Sequence, residues 1–200
     1  GYIMKIEDIS GLVIIPAKTD STRLKKKNLR VVDGKTLVEH AIEYSLNSNL
    51  VKHIIVTSES EEVQKIVEKY SNILFFSRDS SYMGEREVAD VYVNIVQEDL
   101  QKYDNTIIDN ITHIIGVQPD HPDRETNIDQ LLEYAVNNKY DDLVTVDSEG
   151  TRNGAVRVVK KEFVQSGMMS RRVGSFKDNC TNIHSEQDLI DAENNIRNRK

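Results

Sequence analysis

A cationic segment near the start of the chain contains the first side chains whose types and spacing suggest chemistry. It follows the apolar run Leu12–Ile15, which is typical of a buried strand, and begins where Pro16 breaks that run. Residues 18–30 contain six basic side chains and one acidic one, which are Lys18, Arg23, Lys25, Lys26, Lys27, Arg30 and Asp20. The whole chain has a net charge of -7, so this segment is a local exception. A cationic loop at the carboxyl end of a buried strand predicts a binding site for a polyphosphate.

A second segment offers a carboxylate next to another predicted strand. It follows the apolar run His113–Val117 and contains Gln118, Asp120 and Arg124. A carboxylate at the end of a strand is well placed to bind a hard cation that bridges phosphate oxygens. The alternative is that this segment is only a capped turn before the next helix.

A third segment, before the last helical pattern of the chain, contains Asn182 and His184. An amide oxygen and a neutral imidazole can both bind a divalent ion, but neither brings the negative charge that makes a strong magnesium site. The alternative for His184 is a residue at the start of a helix with no catalytic role.

Apolar runs and helical patterns alternate along the chain. The predicted strands are Leu12–Pro16, His53–Thr57, Ile73–Phe76, His113–Val117, Asp142–Val146 and Ala155–Val159. The predicted helices are Leu37–Leu46, Glu61–Lys69, Glu87–Gln101, Asn127–Asn137 and Glu186–Ile196. This alternation predicts an α/β fold of three layers (αβα), with a mostly parallel, mixed sheet between the helices. Ligands of such folds bind beyond the carboxyl ends of the strands, so we expect the cationic segment and Gln118–Arg124 to share one rim.

The composition limits the classes of protein to consider. The chain has 200 residues, enough for a sizeable core, and we expect a single domain over residues 1–200. The single cysteine, Cys180, excludes an internal disulfide framework and a cysteine-rich zinc site. The negative net charge argues against nucleic acid as a partner. Because no apolar run is long enough to span a bilayer and the first residues lack the core of a signal peptide, we expect no membrane partner and a cytoplasmic location.

The common nucleotide-binding and hydrolytic motifs are missing from the sequence. The loop after Pro16 has neither the Gly-x-x-x-x-Gly-Lys-Ser/Thr pattern of Walker-type NTPases nor the Gly-x-Gly-x-x-Gly pattern of Rossmann dehydrogenases. No Gly-x-Ser-x-Gly elbow supports a hydrolase triad. The predicted polyphosphate site therefore belongs to another class of α/β protein.

The cationic segment resembles a known signature. Pro16-Ala17-Lys18, followed by Ser21-Thr22-Arg23-Leu24 and Lys27-Asn28, is similar to the loop of the cytidylyltransferases that activate acidic sugars, the CMP-Kdo synthetases and the CMP-sialic acid synthetases. That loop reads Pro-Ala-Arg, a short spacer, then Ser-x-Arg-Leu-Pro-x-Lys. In this chain Lys18 replaces the first arginine of the pattern, and Lys25 replaces the proline after leucine.

The other segments extend the resemblance. Gln118 falls on a glutamine that contacts the sugar acid in both groups of the family, and Asp120 falls on a magnesium-binding aspartate of the CMP-Kdo synthetases. The stretch 182–193 is similar to the family pattern Asp-Ile-Asp-x-x-Glu-Asp-Leu-x-x-Ala-Glu, but Asn182 and His184 replace its two aspartates. Ser77-Arg78 resembles the arginine that lies near the nucleotide in the CMP-sialic acid synthetases.

The resemblance implies a Rossmann-like fold of the nucleotide-diphospho-sugar transferase type and transfer of CMP from CTP to an acidic sugar (nonulosonate or Kdo-like), with release of pyrophosphate. The implied catalytic residues are Lys27, Arg23 and Asp120, of which the two basic ones stabilise phosphoryl charge. The implied nucleotide ligands are Ala17, Lys18, Ser21, Asn28 and Arg78, and the implied acceptor ligands are Gln118 and Arg124. The implied cofactor is Mg²⁺, or Mn²⁺, bound by Asp120 together with His184 and Asn182.

One departure from the family leaves several alternatives open. The family usually inserts a longer segment after the strand Asp142–Val146, and this insert builds much of the dimer interface and part of the acceptor pocket. Only Ser148–Arg152 fills the gap here, so we expect any homodimer to use a non-standard interface, and a phosphonate stays an alternative acceptor. The changes at Lys18, Asn182 and His184 motivate a second hypothesis, a degenerate, non-catalytic nucleotide- or partner-binding module of the same fold. The lysine-rich loop argues against a third, a GT-A glycosyltransferase.

Overall fold

A seven-stranded sheet forms the centre of the protein in the computed structural model, which describes residues 4–19, 21, 23–79 and 88–200. The strands are β1 (Gly11–Pro16), β2 (Val31–Val32), β3 (Lys35–Thr36), β4 (Val51–Ser58), β5 (Ile73–Ser77), β6 (His113–Val117), β7 (Asp142–Val146), β8 (Arg152–Lys160) and β9 (Val173–Lys177). β2 and β3 form a separate antiparallel pair, and the other seven strands follow the order β5-β4-β1-β6-β8-β7-β9. The pairings of β8 with β6 and β7 are antiparallel and the others are parallel, so the sheet is mixed and mostly parallel.

Helices cover both faces of this sheet. They are α1 (Leu37–Leu46), α2 (Glu61–Glu68), α3 (Val88–Asn94), α4 (Leu100–Asp104), α5 (Ile128–Asn137), α6 (Lys161–Gln165) and α7 (Glu186–Asn198). α3 continues into α4 through a π-helical turn, Ile95–Asp99. α1, α2 and α5 pack on one face and α3, α4 and α6 on the other, which confirms the predicted three-layer α/β fold. Within the described part of the chain, the helices lack the combination of length and apolar character that crossing a bilayer requires.

The burial of each strand explains which ones the sequence pattern indicates. Every residue of β1 is buried, because helices cover both faces of a central parallel strand and leave no side for polar residues. β9 lies at the edge of the sheet with Val173, Ser175 and Lys177 exposed, and β2 and β3 are very short, so the sequence pattern does not indicate these three strands. The predicted helix Glu87–Gln101 is confirmed from Val88 onward, and its first residue lies outside the described residues.

A separate apolar cluster holds the last helix against the cationic loop. It consists of Leu24, Val32, Leu37, Ile183, Leu189 and Ala192. Beside it, the guanidinium of Arg30 donates two hydrogen bonds of 2.7 Å to the carboxylate of Glu186. The start of α7 is thereby fixed next to the loop, as a site built from both segments requires.

One buried histidine makes the stability of the fold depend on pH. Burial of His113, with a smaller contribution from the charge of Lys160, lowers its pKa from 6.5 to about 4. Between these two values the unfolded chain binds a proton that the folded chain does not, so the free energy of unfolding falls as the pH drops. We expect a loss of about 2 kcal/mol between pH 7 and pH 5 at this residue, measured by urea unfolding. The variant His113→Asn should lose less over the same interval, and equal losses in both proteins would contradict this assignment.

Candidate active site

The cationic segment forms a loop that closes over the carboxyl end of β1. The backbone amide of Ala17 donates to the carbonyl of Thr57 at 2.9 Å, and the hydroxyl of Ser58 donates to the carbonyl of Ala17 at 2.6 Å. At the other end of the loop, Nδ2 of Asn28 donates to the carbonyl of Lys18 at 2.5 Å. These bonds tie the two ends of the loop to each other and to β4, and the loop therefore lies at the rim of the sheet.

The loop brings one lysine to the strand rim and leaves its neighbour at the surface. Lys26 has a left-handed backbone conformation (φ 51°) and forms an exposed ion pair with Glu62 at 2.8 Å. Lys27 begins a short 3₁₀ turn, and its ammonium nitrogen Nζ lies 3.0 Å from Oδ2 of Asp120. The side chains of Lys27 and Asp120 are only 14% and 16% exposed. The structure thus brings together the cationic loop and the carboxylate that follows β6.

A buried histidine lies against the same carboxylate. His121 is 1% exposed, and its Nδ1 lies 2.9 Å from Oδ1 of Asp120. Burial alone would raise the pKa of the Asp120 carboxyl, but His121 and Lys27 together hold that pKa well below its usual range. Asp120 is therefore ionised, with Oδ2 facing the ammonium of Lys27 and Oδ1 facing the imidazole.

An open pocket of about 380 Å³ lies beside this carboxylate. Its polar and glycine lining comes from α3, the segment after β6, β8 and the segment before α7, and consists of Tyr92, Gln118, Asp120, His121, Arg152, Asn153, Gly154, Arg157 and Asn182. On the β8 side, Asp142 holds the guanidinium of Arg157 by hydrogen bonds of 2.9 and 2.5 Å. The pocket lining therefore includes one carboxylate and two arginines.

A glycine leaves room for Gln118 in this pocket. Gly154 has a positive φ of 76°, and a Cβ at this position would lie 3.0 Å from Nε2 of Gln118. A residue with a side chain would strain the backbone here and press on the amide. The position of Gln118 at the pocket wall thus depends on the start of β8.

Two residues predicted to bind the substrates, Arg78 and Arg124, make contacts inside the protein and do not line the pocket. The guanidinium of Arg78 is buried and donates hydrogen bonds to three side chains, those of Thr57, Asn94 and Asp99. Arg124 is also buried, with its guanidinium carbon 4.8 Å from the centroid of the Tyr44 ring, and it does not line the pocket. The geometry therefore gives Arg78 an internal structural role, and it does not support Arg124 as an acceptor ligand, because its guanidinium packs toward α1.

The remaining predicted residues lie along the rim. Arg23 is exposed on the loop, and the Ser21 hydroxyl accepts a backbone amide of the same loop at 3.4 Å, while Thr22 between them lies outside the described residues. Asn182 is exposed and lines the pocket. His184 does not line it, and its backbone amide belongs to the cap of α7.

The oxygen ligands near Asp120 suit a cation that is shared with a phosphate group. Among residues 4–19, 21, 23–79 and 88–200, no three His, Cys, Asp or Glu side chains converge on one point. However, Oδ1 of Asp120 has no hydrogen-bond partner, and Asn182 lines the same pocket. Mg²⁺ is usually bound by one or two carboxylates, with substrate phosphates and water as its other ligands. This donor set fits such a cation without forming a closed protein cage.

Sequence reasoning gave no site role to several pocket residues, among them His121, Arg152 and Arg157. Arg157 interrupts the buried apolar run Ala155–Val159 on β8 and does not follow the alternation of a strand with one polar face, so its lone charge is the signal that could have marked it. The sequence position of His121, next to Asp120, is the signal that could have drawn attention to it.

Comparison with known proteins places these residues in a family. A family profile described as "Cytidylyltransferase" matches residues 12–197. The 3-deoxy-manno-octulosonate cytidylyltransferase of Rickettsia canadensis is 33% identical over 150 residues, which cover 73% of this chain and 56% of that protein. The protein of the same name from Rickettsia felis is 30% identical over 150 residues, with the same two coverages of 73% and 56%. The chain thus spans about half the length of the curated relatives that it matches.

Solved structures share the fold at low sequence identity. A CMP:2-keto-3-deoxy-manno-octonic acid synthetase complexed with CTP has a TM-score of 0.69 and 12% identity, and the match covers 96% of this chain and 100% of that one. A 4-diphosphocytidyl-2C-methyl-D-erythritol synthase from Anaerococcus prevotii has a TM-score of 0.63 and 13% identity, with coverages of 96% and 98%. These structures support the α/β fold, and the profile and the Rickettsia relatives confirm the resemblance seen in the sequence. The chain belongs to the cytidylyltransferase family.

Proposed function

We propose that the chain transfers CMP from CTP to a hydroxyl group of a small acidic acceptor and releases pyrophosphate. The observation that carries this proposal is the 3.0 Å contact between Lys27 of the cationic loop and Asp120 of the strand rim. It supports a single site in which an ammonium group and a carboxylate meet the same triphosphate. Family membership supports the choice of reaction, and the names of the curated relatives support an octulosonate-like sugar acid as the acceptor.

The charges of the site suit nucleotidyl transfer. Negative charge develops on the transferred phosphoryl group and on the leaving pyrophosphate, and donors that are fixed before the reaction stabilise it. Asp120 fixes Lys27 in this way, and Arg23, Lys18 and Ser21 lie on the same loop to bind the triphosphate. Ala17 and Asn28, at the two ends of the loop, remain the proposed ligands of the nucleoside. A divalent cation at Asp120, Mg²⁺ or Mn²⁺, supplies further neutralisation of the phosphate oxygens.

The two arginines in the pocket lining support an acidic acceptor. They are Arg152 and Arg157, and Gln118 adds an amide to the same space. A pocket of about 380 Å³ suits a small molecule, because ligand sites usually start at about 300 Å³. We assign binding of the acceptor carboxylate, or of a phosphonate, to Arg157 and Gln118, with Asp142 holding the guanidinium in place.

Removing the charge of Arg157 should weaken acceptor binding and spare the nucleotide. In the double variant Arg157→Gln, Asp142→Asn both members of the ion pair are lost, so no buried carboxylate stays unpaired. We expect KM for the acceptor to rise roughly 10- to 100-fold, as for the loss of a charge-assisted hydrogen bond, with little change in KM for CTP. Steady-state kinetics of pyrophosphate release measure both constants. An unchanged KM for the acceptor, or an equal rise in both constants, contradicts the assignment.

Release of pyrophosphate tests the proposed reaction. The chain is incubated with CTP, with Mg²⁺ or Mn²⁺, and with a panel of sugar acids and phosphonates, with neutral sugars as the control. We expect pyrophosphate with at least one acidic acceptor and none with the neutral sugars, and replacing CTP with UTP tests the preference for cytosine. The alternative, a non-catalytic nucleotide-binding module, is motivated by the missing carboxylates at Asn182 and His184. It predicts CTP binding in calorimetry and no pyrophosphate under any of these conditions.

A homodimer with a non-standard interface is also a proposal. Residues 147–151 form a tight turn between β7 and β8, in which Asp147 accepts the backbone amides of Glu149, Gly150 and Thr151. This turn takes the place of the longer segment that builds much of the family's dimer interface. Light scattering on the purified chain tests whether it dimerises.

A further inference from the structure

We propose that His121 binds the divalent cation of this site directly, through Nδ1, and that the site therefore prefers a first-row transition ion such as Mn²⁺ to Mg²⁺. The inference rests on the proposed function, because a cation at Asp120 belongs to that reaction. It replaces His184 with His121 as the imidazole ligand.

The imidazole of His121 is buried without a hydrogen bond to hold it. Its side chain is 2% exposed, and the residue lines the pocket beside Asp120. Neither Nδ1 nor Nε2 has a hydrogen-bond partner. Burial of a polar group without a partner costs free energy, and an unpartnered group in a native protein calls for an explanation such as a bound ion. A cation in the pocket provides the missing partner.

The imidazole and the carboxylate have the spacing of two neighbouring ligands on one metal ion. Nδ1 of His121 and Oδ1 of Asp120 are 2.9 Å apart, but this contact does not have the geometry of a hydrogen bond. Two ligands that lie about 2.1 Å from an octahedral ion and at right angles to each other are separated by about 3 Å. Two lone pairs at this distance repel each other unless a proton or a cation lies between them.

The second oxygen of the carboxylate is already engaged. Oδ2 of Asp120 accepts from Nζ of Lys27 at 3.0 Å, so Oδ1 is the oxygen left for a cation. Lys27 and His121 therefore contact different oxygens and do not compete. A cation bound by Oδ1 and Nδ1 would therefore contact the same carboxylate as Lys27, the residue proposed to stabilise the phosphoryl charge.

The other available ligands make this a mixed nitrogen and oxygen site. Asn182 lines the same pocket and offers an amide oxygen, whereas His184 does not line it. Mg²⁺ takes oxygen ligands almost exclusively, while imidazole suits transition ions. One carboxylate, one imidazole and one amide thus favour a transition ion, with phosphate oxygens and water completing its coordination.

Electron spin-echo envelope modulation of bound Mn²⁺ tests the ligand assignment without any turnover. A nitrogen bonded directly to Mn²⁺ modulates the echo, and incorporation of ¹⁵N-histidine changes that modulation. Spectra of wild type, His121→Gln and the matched control His184→Gln are recorded with protein in excess over Mn²⁺ and no nucleotide. We expect nitrogen modulation in wild type and His184→Gln and none in His121→Gln, whose dissociation constant for Mn²⁺ rises at least about tenfold.

Two results overturn the proposal: no nitrogen modulation in wild type, or modulation that persists in His121→Gln and disappears in His184→Gln. Thermal unfolding checks each variant, and the smaller substitution His121→Asn repeats the test if His121→Gln does not fold. The pyrophosphate assay on the same preparations separates this inference from the reaction. Pyrophosphate without nitrogen modulation overturns the role of His121 alone, and modulation without pyrophosphate supports that role and contradicts the reaction.

Discussion

Replacing Lys27 with alanine should lower kcat for pyrophosphate release by roughly 10²- to 10³-fold, the effect of removing one preorganised donor from a site of developing charge. The ammonium group is in position in the free protein, 3.0 Å from Oδ2 of Asp120 and 14% exposed. Because the donor is fixed before the substrate arrives, its loss should affect the transition state more than the ground state, and KM for CTP should change less than kcat.

Two companion variants separate this effect from a general loss of positive charge. Lys26→Met removes the neighbouring ammonium, which forms an exposed pair with Glu62, and should leave kcat within about threefold of wild type. Lys27→Arg keeps the charge and should retain part of the activity. If Lys27→Ala and Lys26→Met give the same rate as wild type, the loop takes no part in the transfer.

The variant Asp120→Asn should lose a comparable or larger share of activity, roughly 10³-fold in kcat/KM, in line with several kcal/mol of charge stabilisation by a bound cation. The substitution keeps the shape of the side chain and removes both the negative charge that favours a cation and the ionic partner of Lys27. Kinetics at increasing Mn²⁺ concentration measure the effect, and part of the loss should be recovered at high Mn²⁺ because binding of the cation is weakened. If the variant Asp120→Asn shows the same kinetics as wild type at low Mn²⁺, Asp120 does not hold the cation.

The contact between Lys27 and Asp120 also predicts how the two losses combine. Residues that touch each other usually give non-additive effects in a double-mutant cycle. We expect the double variant Lys27→Ala, Asp120→Asn to lose clearly less than the product of the two single losses. Additive losses would mean that the two groups act at separate places.

Much of the scaffold follows from the sequence because burial imposes a simple pattern. β1 and β6 are covered on both faces, so their residues form continuous apolar runs. The rule that parallel strands present their carboxyl ends at one edge then predicts that Lys27 and Asp120 share a rim, and they lie in contact. β9 escapes this reasoning, because an exposed edge strand has no apolar run to mark it.

The roles of individual polar side chains are harder to predict from the sequence. A motif position places Arg78 and Arg124 near the rim, but the direction of a guanidinium depends on which acceptors the fold brings close, and both groups find partners inside the protein. The proposed role of His121 depends on ring nitrogens that the fold buries without a hydrogen-bond partner, and a sequence pattern does not indicate this. The single domain over residues 1–200 and the oligomeric state stay predictions.

The most direct measurement of the proposed chemistry is ³¹P NMR of a mixture of the chain, CTP, an acidic sugar and Mg²⁺. We expect the three CTP resonances to be replaced by one phosphodiester and by pyrophosphate in equal amounts, with wild type but not with Asp120→Asn. CTP that stays intact with every acceptor, or that breaks down to CDP and inorganic phosphate, would contradict transfer of CMP by this site.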